Sequence, residues 1–110
     1  MRRILLAAVS LVLGVGVGGQ ATAAEGAVTS TVNRLFYYEG HTGLLVIVNS
    51  MSDLGGCGNA SWFLLPDGHP HFKEVVALLM SAEAGGKQVN LTVSGCYEGY
   101  GRIKHVMLID

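Results

Sequence analysis

The chain has 110 residues, half of them hydrophobic and 14% charged, with a formal net charge of −1 and two cysteines. That length suits one domain, and the near-neutral balance lacks the basic footprint that nucleic-acid binding leaves. Neither a phosphate-binding loop, a dinucleotide fingerprint nor a nucleophile-elbow motif occurs in it.

Met1-Arg2-Arg3 is a basic start, Ile4 to Gly19 is an apolar run without a charge, and Ala21-Thr22-Ala23-Ala24 offers the small residues a signal peptidase reads. A spanning helix needs about 20 predominantly apolar residues. This run is shorter, and Gly14, Gly16, Gly18 and Gly19 interrupt it. Residues 1–24 therefore read as a signal peptide and residues 25–110 as a single exported domain, periplasmic or secreted and bacterial in type, with no membrane anchor after cleavage. Without the leader, five Lys and Arg remain against eight Asp and Glu, a net charge of −3 with histidines neutral. In an exported chain Cys57 and Cys96 read as one disulfide, since they do not form a C-x-x-C motif.

Val28 to Tyr38 is rich in β-branched and aromatic residues, and the turn Glu39-Gly40-His41-Thr42-Gly43 follows it. Leu44 to Val48 is a continuous apolar run, as in a strand buried on both faces, and the two segments form a hairpin. Ser50 to Asn59 is a polar loop carrying Cys57. Ala60 to Leu65 reads as a third strand, closed by the turn Pro66-Asp67-Gly68. The period then changes. Pro70 suits a first helical position, and Phe72, Val75, Val76 and Leu79 recur at i, i+3, i+4 and i+7. Gly85-Gly86 supplies the residue type that ends helices, so the spacing predicts a helix over His71 to Ala84.

From Lys87 to Ser94 the apolar residues Val89, Leu91 and Val93 alternate with Gln88, Asn90, Thr92 and Ser94, the pattern of a strand with one buried face. Gly95 to Gly101 reads as a turn holding Cys96, Tyr97 and Tyr100. Arg102 to Ile109 is the last strand, and its apolar phase slips between Ile103 and Val106, which a β-bulge near Lys104-His105 would repair.

The fold class is mainly β with one helix (α+β), in the order β-β-β-α-β-β with one disulfide. Five strands with the helix between the third and fourth is the order of a five-stranded OB-fold barrel. The alternative is an α+β sheet with one helix laid across it. Phe72-Lys73-Glu74-Val75-Val76-Ala77-Leu78-Leu79-Met80 and Gly86-Lys87-Gln88-Val89-Asn90-Leu91-Thr92-Val93 resemble the helix-to-strand passage of bacterial AB5-toxin B subunits of the subtilase-cytotoxin and pertussis-like type. Gly95-Cys96, the tyrosine-rich turn and Arg102 to Leu108 are similar to a broader group of small exported bacterial proteins of this build. The resemblance implies an OB-fold, a homo-oligomer of about five protomers and glycan binding, with no catalytic motif.

OB-folds place ligands in the loops joining strands one to two and four to five. Here those loops offer His41, Thr42, Tyr97, Glu98 and Tyr100 as ligand-binding candidates: the rings stack on apolar sugar faces, and the polar groups orient hydroxyls. The competing reading has Tyr97 and Tyr100 simply covering the barrel end. His69-Pro70-His71, with His41 and His105, offers imidazoles to a metal. The spacing of His69 and His71 does not make their rings converge, so no metal site and no cofactor is assigned. The expectation is a non-catalytic binding module for a glycan or small polar ligand, with a periplasmic structural or protein-interaction domain as the alternative. No enzyme activity and no nucleic-acid partner are expected.

Overall fold

The computed structural model describes residues 24–109; the leader read over residues 1–24 lies outside them apart from Ala24. The elements are β1 (Glu25–Phe36), β2 (Gly43–Val48), β3 (Phe63–Pro66), α1 (Phe72–Gly85), β4 (Gln88–Tyr97) and β5 (Tyr100–Ile109). The strands close into a ring in the order β1-β2-β3-β5-β4. All neighbouring pairs are antiparallel except β3 with β5, a short parallel contact aligning Phe63 with Gly101 and Leu64 with Arg102. Closure removes the unpaired edges that an open sheet would present.

Closing so small a ring requires one strand to serve two neighbours. The first half of β1 pairs with β4, from Glu25 opposite Ser94 to Thr31 opposite Gln88. Its second half pairs with β2, from Val32 opposite Val48 to Phe36 opposite Leu45. The register slips between Val32 and Arg34, and a bulge of that kind bends and twists a strand. The slip also preserves burial, because Val28 and Val32 before it and Leu35 after it all pack on the core.

The bulge that the sequence predicts in the last strand is present. Thr92 lies opposite His105 and Val93 opposite Ile103, so Lys104 is the extra residue. It returns Val106 and Leu108 to the core side beside Ile103. Its carbonyl oxygen accepts a hydrogen bond from His69 Nε2, 2.9 Å away.

The core inside the ring is built from Val46, Val48, Phe63, Leu65, Val89, Leu91, Val93 and Ile103. The helix adds Val75, Leu79 and Ala82 to it, and packs against β1, β4 and β5. It starts one residue later than its spacing predicts. Pro70 is not the first helical residue but sits in the preceding turn, where the Phe72 amide bonds to the His69 carbonyl at 3.1 Å. At the other end Gly86 takes a left-handed conformation (φ 65°) and its amide caps the last carbonyls of the helix.

Between β2 and β3 the chain runs without regular structure and presses Met51 and Leu54 onto the core. The disulfide Cys57–Cys96 fastens this segment to the sheet. Asp53 holds it from the other side, its carboxylate accepting the amides of Cys57 (2.9 Å) and Gly58 (2.8 Å). Cys96 does not lie in a loop, as expected, but within β4, so the bridge joins a loop to a strand. The cause is the tightness of the β4–β5 turn. Among the described residues no helix is long and apolar enough to cross a membrane.

Candidate functional site

Only Glu98 and Gly99 separate β4 from β5. Both have positive φ (54° and 86°), the signature of a type I′ hairpin turn. The left-handed region is uncommon for a residue with a side chain, and Glu98 is held there by what its carboxylate meets. Oε2 accepts from the Thr42 hydroxyl at 2.8 Å, and Oε1 from the Thr42 amide at 3.3 Å and from His41 Nδ1 at 3.1 Å. Because an ionised carboxylate only accepts, Nδ1 carries the imidazole hydrogen in this contact. Thr42 has one hydroxyl hydrogen and gives it to Glu98, so its oxygen accepts from the Tyr97 hydroxyl at 2.8 Å.

The relay Tyr97 to Thr42 to Glu98 therefore has a direction. The Thr42 hydroxyl holds the Glu98 carboxyl below its ordinary value; desolvation opposes it, and His41 and the Thr42 amide add smaller contributions in the lowering direction. The pair stays open to water, with 22% of the His41 side chain and 28% of the Glu98 side chain exposed.

All five predicted ligand residues thus come together, although His41 and Thr42 lie more than 50 residues from the others. Much of their polar capacity is already used among themselves. Tyr100 is bound in the same way: its ring stacks on Trp62 with centroids 4.7 Å apart and meets His41 edge-on at 5.6 Å. Packing is therefore part of what Tyr97 and Tyr100 do.

Trp62 is the residue that sequence reasoning passed over. Three more rings meet it edge-on: Phe36 at 5.6 Å, Tyr38 at 5.9 Å and His41 at 5.9 Å. Its indole nitrogen is buried with no hydrogen-bond acceptor among the described residues. Tyr38 is 55% exposed and its neighbour Tyr37 63%. One aromatic platform results, with Trp62 at its centre, Tyr38 on its open side and Glu98 at its edge.

The register explains why the platform lies outside the barrel. Val46 and Val48 of β2 and Phe63 and Leu65 of β3 face the core, so by strand alternation Leu45 and Leu64 face outward. Yet both are fully buried. Phe36 stands directly opposite Leu45, and Leu45 opposite Leu64. Trp62 precedes Leu64 by two residues and shares its side of the sheet. The rings are thus the cover of a second, smaller apolar layer on the outer face of β2 and β3.

The histidine pair reads differently in three dimensions. His69 Nε2 donates to the Lys104 carbonyl, while Nδ1 accepts the His71 amide at 3.0 Å. Both nitrogens are engaged, and the rings of His69 and His71 stand 6.4 Å apart. His69 pins the start of α1 to the bulge of β5. Among the described residues no group of three or more His, Cys, Asp or Glu is placed to hold a metal.

No known protein family, curated protein or solved structure matches this chain. Its function has to be argued from the platform itself.

Proposed function

We propose that this chain is an exported, non-catalytic binding module of OB-fold build, which recognises a glycan or small polar ligand on its outer aromatic face. The observation that carries this reading is the convergence of the β1–β2 connection, the β4–β5 turn and Trp62 on one side of the barrel. The ring order, with the helix between β3 and β4, supports an OB-fold build, in which the face of strands two and three and these two loops take the ligand. Tyr38, 55% exposed, offers stacking surface to a pyranose ring. The remaining lone pairs of Glu98 and the Tyr97 hydroxyl oxygen accept from ligand hydroxyls. Recognition makes and breaks no bond.

The disulfide suits an oxidising compartment and so supports export. Similarity to AB5-toxin B subunits adds a multivalent version of the reading, in which about five copies share a ring. Light scattering on the oxidised domain tests that part: a pentamer supports the multivalent form, and a monomer removes it. Ligand binding is tested with a glycan array and with the fluorescence of Trp62, the only tryptophan of the chain. Saturable quenching by an array hit, abolished in Tyr38→Ala, is the expected result. An empty array with no fluorescence response would overturn the reading.

The second reading is a periplasmic structural or protein-interaction domain. The exposed rings of Tyr37 and Tyr38 favour it, since aromatic residues are enriched at protein interfaces. Capture of one defined periplasmic protein, lost in Tyr37→Ser/Tyr38→Ser, would select it.

A further inference from the structure

The disulfide lies at the seam of the ring. Cys96 of β4 pairs with Gly101 of β5, and Gly101 pairs in turn with Phe63 of β3. Only Phe63–Gly101 and Leu64–Arg102 join β3 to β5, the shortest of the ring's ladders. The irregular segment 49–62 crosses this seam. Its Gly55 is buried, and a Cβ added there would meet the Gly95 carbonyl oxygen and stand 3.1 Å from Gly101 Cα. The backbone of the segment therefore rests directly on β4 and β5 beside the seam, where Cys57 is bonded to Cys96. Five residues after Cys57 the same segment ends in Trp62, the centre of the platform, and Phe63 then begins β3.

Three features set this bridge apart from a buried staple. Cys96 is exposed and Cys57 half-buried, and exposed disulfides are the ones open to exchange. The turn at Asp53 is built without the bridge, because its carboxylate accepts the Cys57 and Gly58 amides. Met51 and Leu54 also keep the segment on the core. Finally, β4 is held by long ladders to β1 and β5 that do not depend on the sulfurs. Cutting the bridge thus removes the tie across the seam and leaves the main ladders in place.

We propose that Cys57–Cys96 is a redox latch. Its reduction frees segment 49–62 from β4, loosens the β3–β5 seam and unseats Trp62, while the rest of the barrel stays folded. The latch does not depend on what the platform binds. Its reductant is a dithiol, of the kind carried by thiol–disulfide oxidoreductases. One thiolate of the dithiol attacks the Cys96 sulfur, the S–S bond breaks, and Cys57 leaves as a thiolate. The second thiolate of the dithiol then displaces Cys96 from the mixed disulfide. The two protons lost by the dithiol end on Cys57 and Cys96. Two electrons pass to this chain, and the dithiol becomes a disulfide. Exchange with an oxidised dithiol of the same class runs the steps backwards and closes the latch.

The test treats the oxidised protein with dithiothreitol in the absence of denaturant. Reduction should go to completion with the far-ultraviolet circular dichroism retained. Trp62 emission should shift to the red and return when glutathione disulfide is added. Hydrogen exchange then locates the loosening. The Trp62 indole N–H is buried in the oxidised protein. On reduction its exchange, and that of the β3 amides, should quicken about tenfold or more beyond that of the Leu91 amide in β4. Cys57→Ser/Cys96→Ser should show the same pattern without reductant. Equal acceleration at all of these sites would make the bridge a global staple and overturn the latch. Loss of the dichroism on reduction, an unmoved Trp62 emission, or reduction no faster than global unfolding would overturn it as well.

Discussion

The Thr42 hydroxyl donates to the Glu98 carboxylate across 2.8 Å, joining two connections that lie 56 residues apart in the chain. This bond is the main reason the Glu98 carboxyl stays below its ordinary value. A carboxyl whose folded value lies below its unfolded one stabilises the fold above the unfolded value, near 4.5, and that stabilisation is lost as pH falls through the folded value. Thr42→Val removes the donor to Glu98 and the acceptor of Tyr97 together. The variant should be less stable than wild type at pH 7, and the gap should narrow as pH drops below the ordinary carboxylate value. Urea unfolding at pH 7 and pH 3 measures both gaps, and a gap that does not change with pH would show that Glu98 is not the linked group.

Reduction of the disulfide should cost much of the stability. Cys57 and Cys96 are 39 residues apart, and closing a loop of that length is worth about 4 kcal/mol in the chain-entropy model. In a domain of this size each kcal/mol moves the melting temperature by roughly 4–8 °C. A fall of at least about 15 °C is therefore expected in reductant, mirrored by Cys57→Ser/Cys96→Ser. An unchanged melting curve would mean that Asp53 and the packing of Met51 and Leu54 hold the loop without the bridge.

What could be read along the chain follows from which faces are wet. The β4 alternation was plain because Gln88, Asn90 and Thr92 meet solvent or half-solvent while Val89, Leu91 and Val93 are buried. The slip at Lys104 was visible for the same reason, as a break in phase. The start of β3 was not, because Trp62-Phe63-Leu64-Leu65 is apolar on both faces: one faces the barrel core and the other the outer layer. Periodicity has nothing to alternate there. The glycine-rich sequence from Gly95 to Gly101 reads as one turn, whereas only Glu98-Gly99 actually turn, which leaves Cys96 in β4. The loop residues of the site were found from the strand order. Phe36, Tyr38 and Trp62 were missed because they look like ordinary strand aromatics. Their meeting depends on β1 pairing with β2 and β2 with β3, and that of Trp62 with Tyr100 on the parallel β3–β5 contact, non-local pairings that no short window of sequence encodes.

The helix offers a paired test of core and surface. Leu79 is fully buried within the barrel core, while Met80 beside it is 58% exposed. Leu79→Ala should cost about 2–5 kcal/mol through lost transfer energy and the cavity left behind. Met80→Ala should stay within roughly 0.5 kcal/mol. Denaturant titration of the two variants distinguishes them, and equal effects would contradict the docking of α1.

Gly101 sits at the closure of the ring between β3 and β5. It is the residue of β5 that pairs with Phe63 of β3 on one side and with Cys96 of β4 on the other. A Cβ added there would stand 2.8 Å from Val93 Cγ1 and 3.2 Å from Phe63 Cδ1, both fully packed core side chains. Neither is the free end of a flexible chain, so the strain has to be taken up by moving Phe63 or widening the β3–β5 contact. Overpacking of this kind costs about 1–3 kcal/mol. Because β3 meets β5 through only two residue pairs, the site is where the barrel opens most readily. Gly101→Ala should therefore lower stability and also speed amide exchange in β3 and the start of β5, before exchange in β4 changes. Uniform acceleration across all five strands would show instead that the ring opens only by global unfolding.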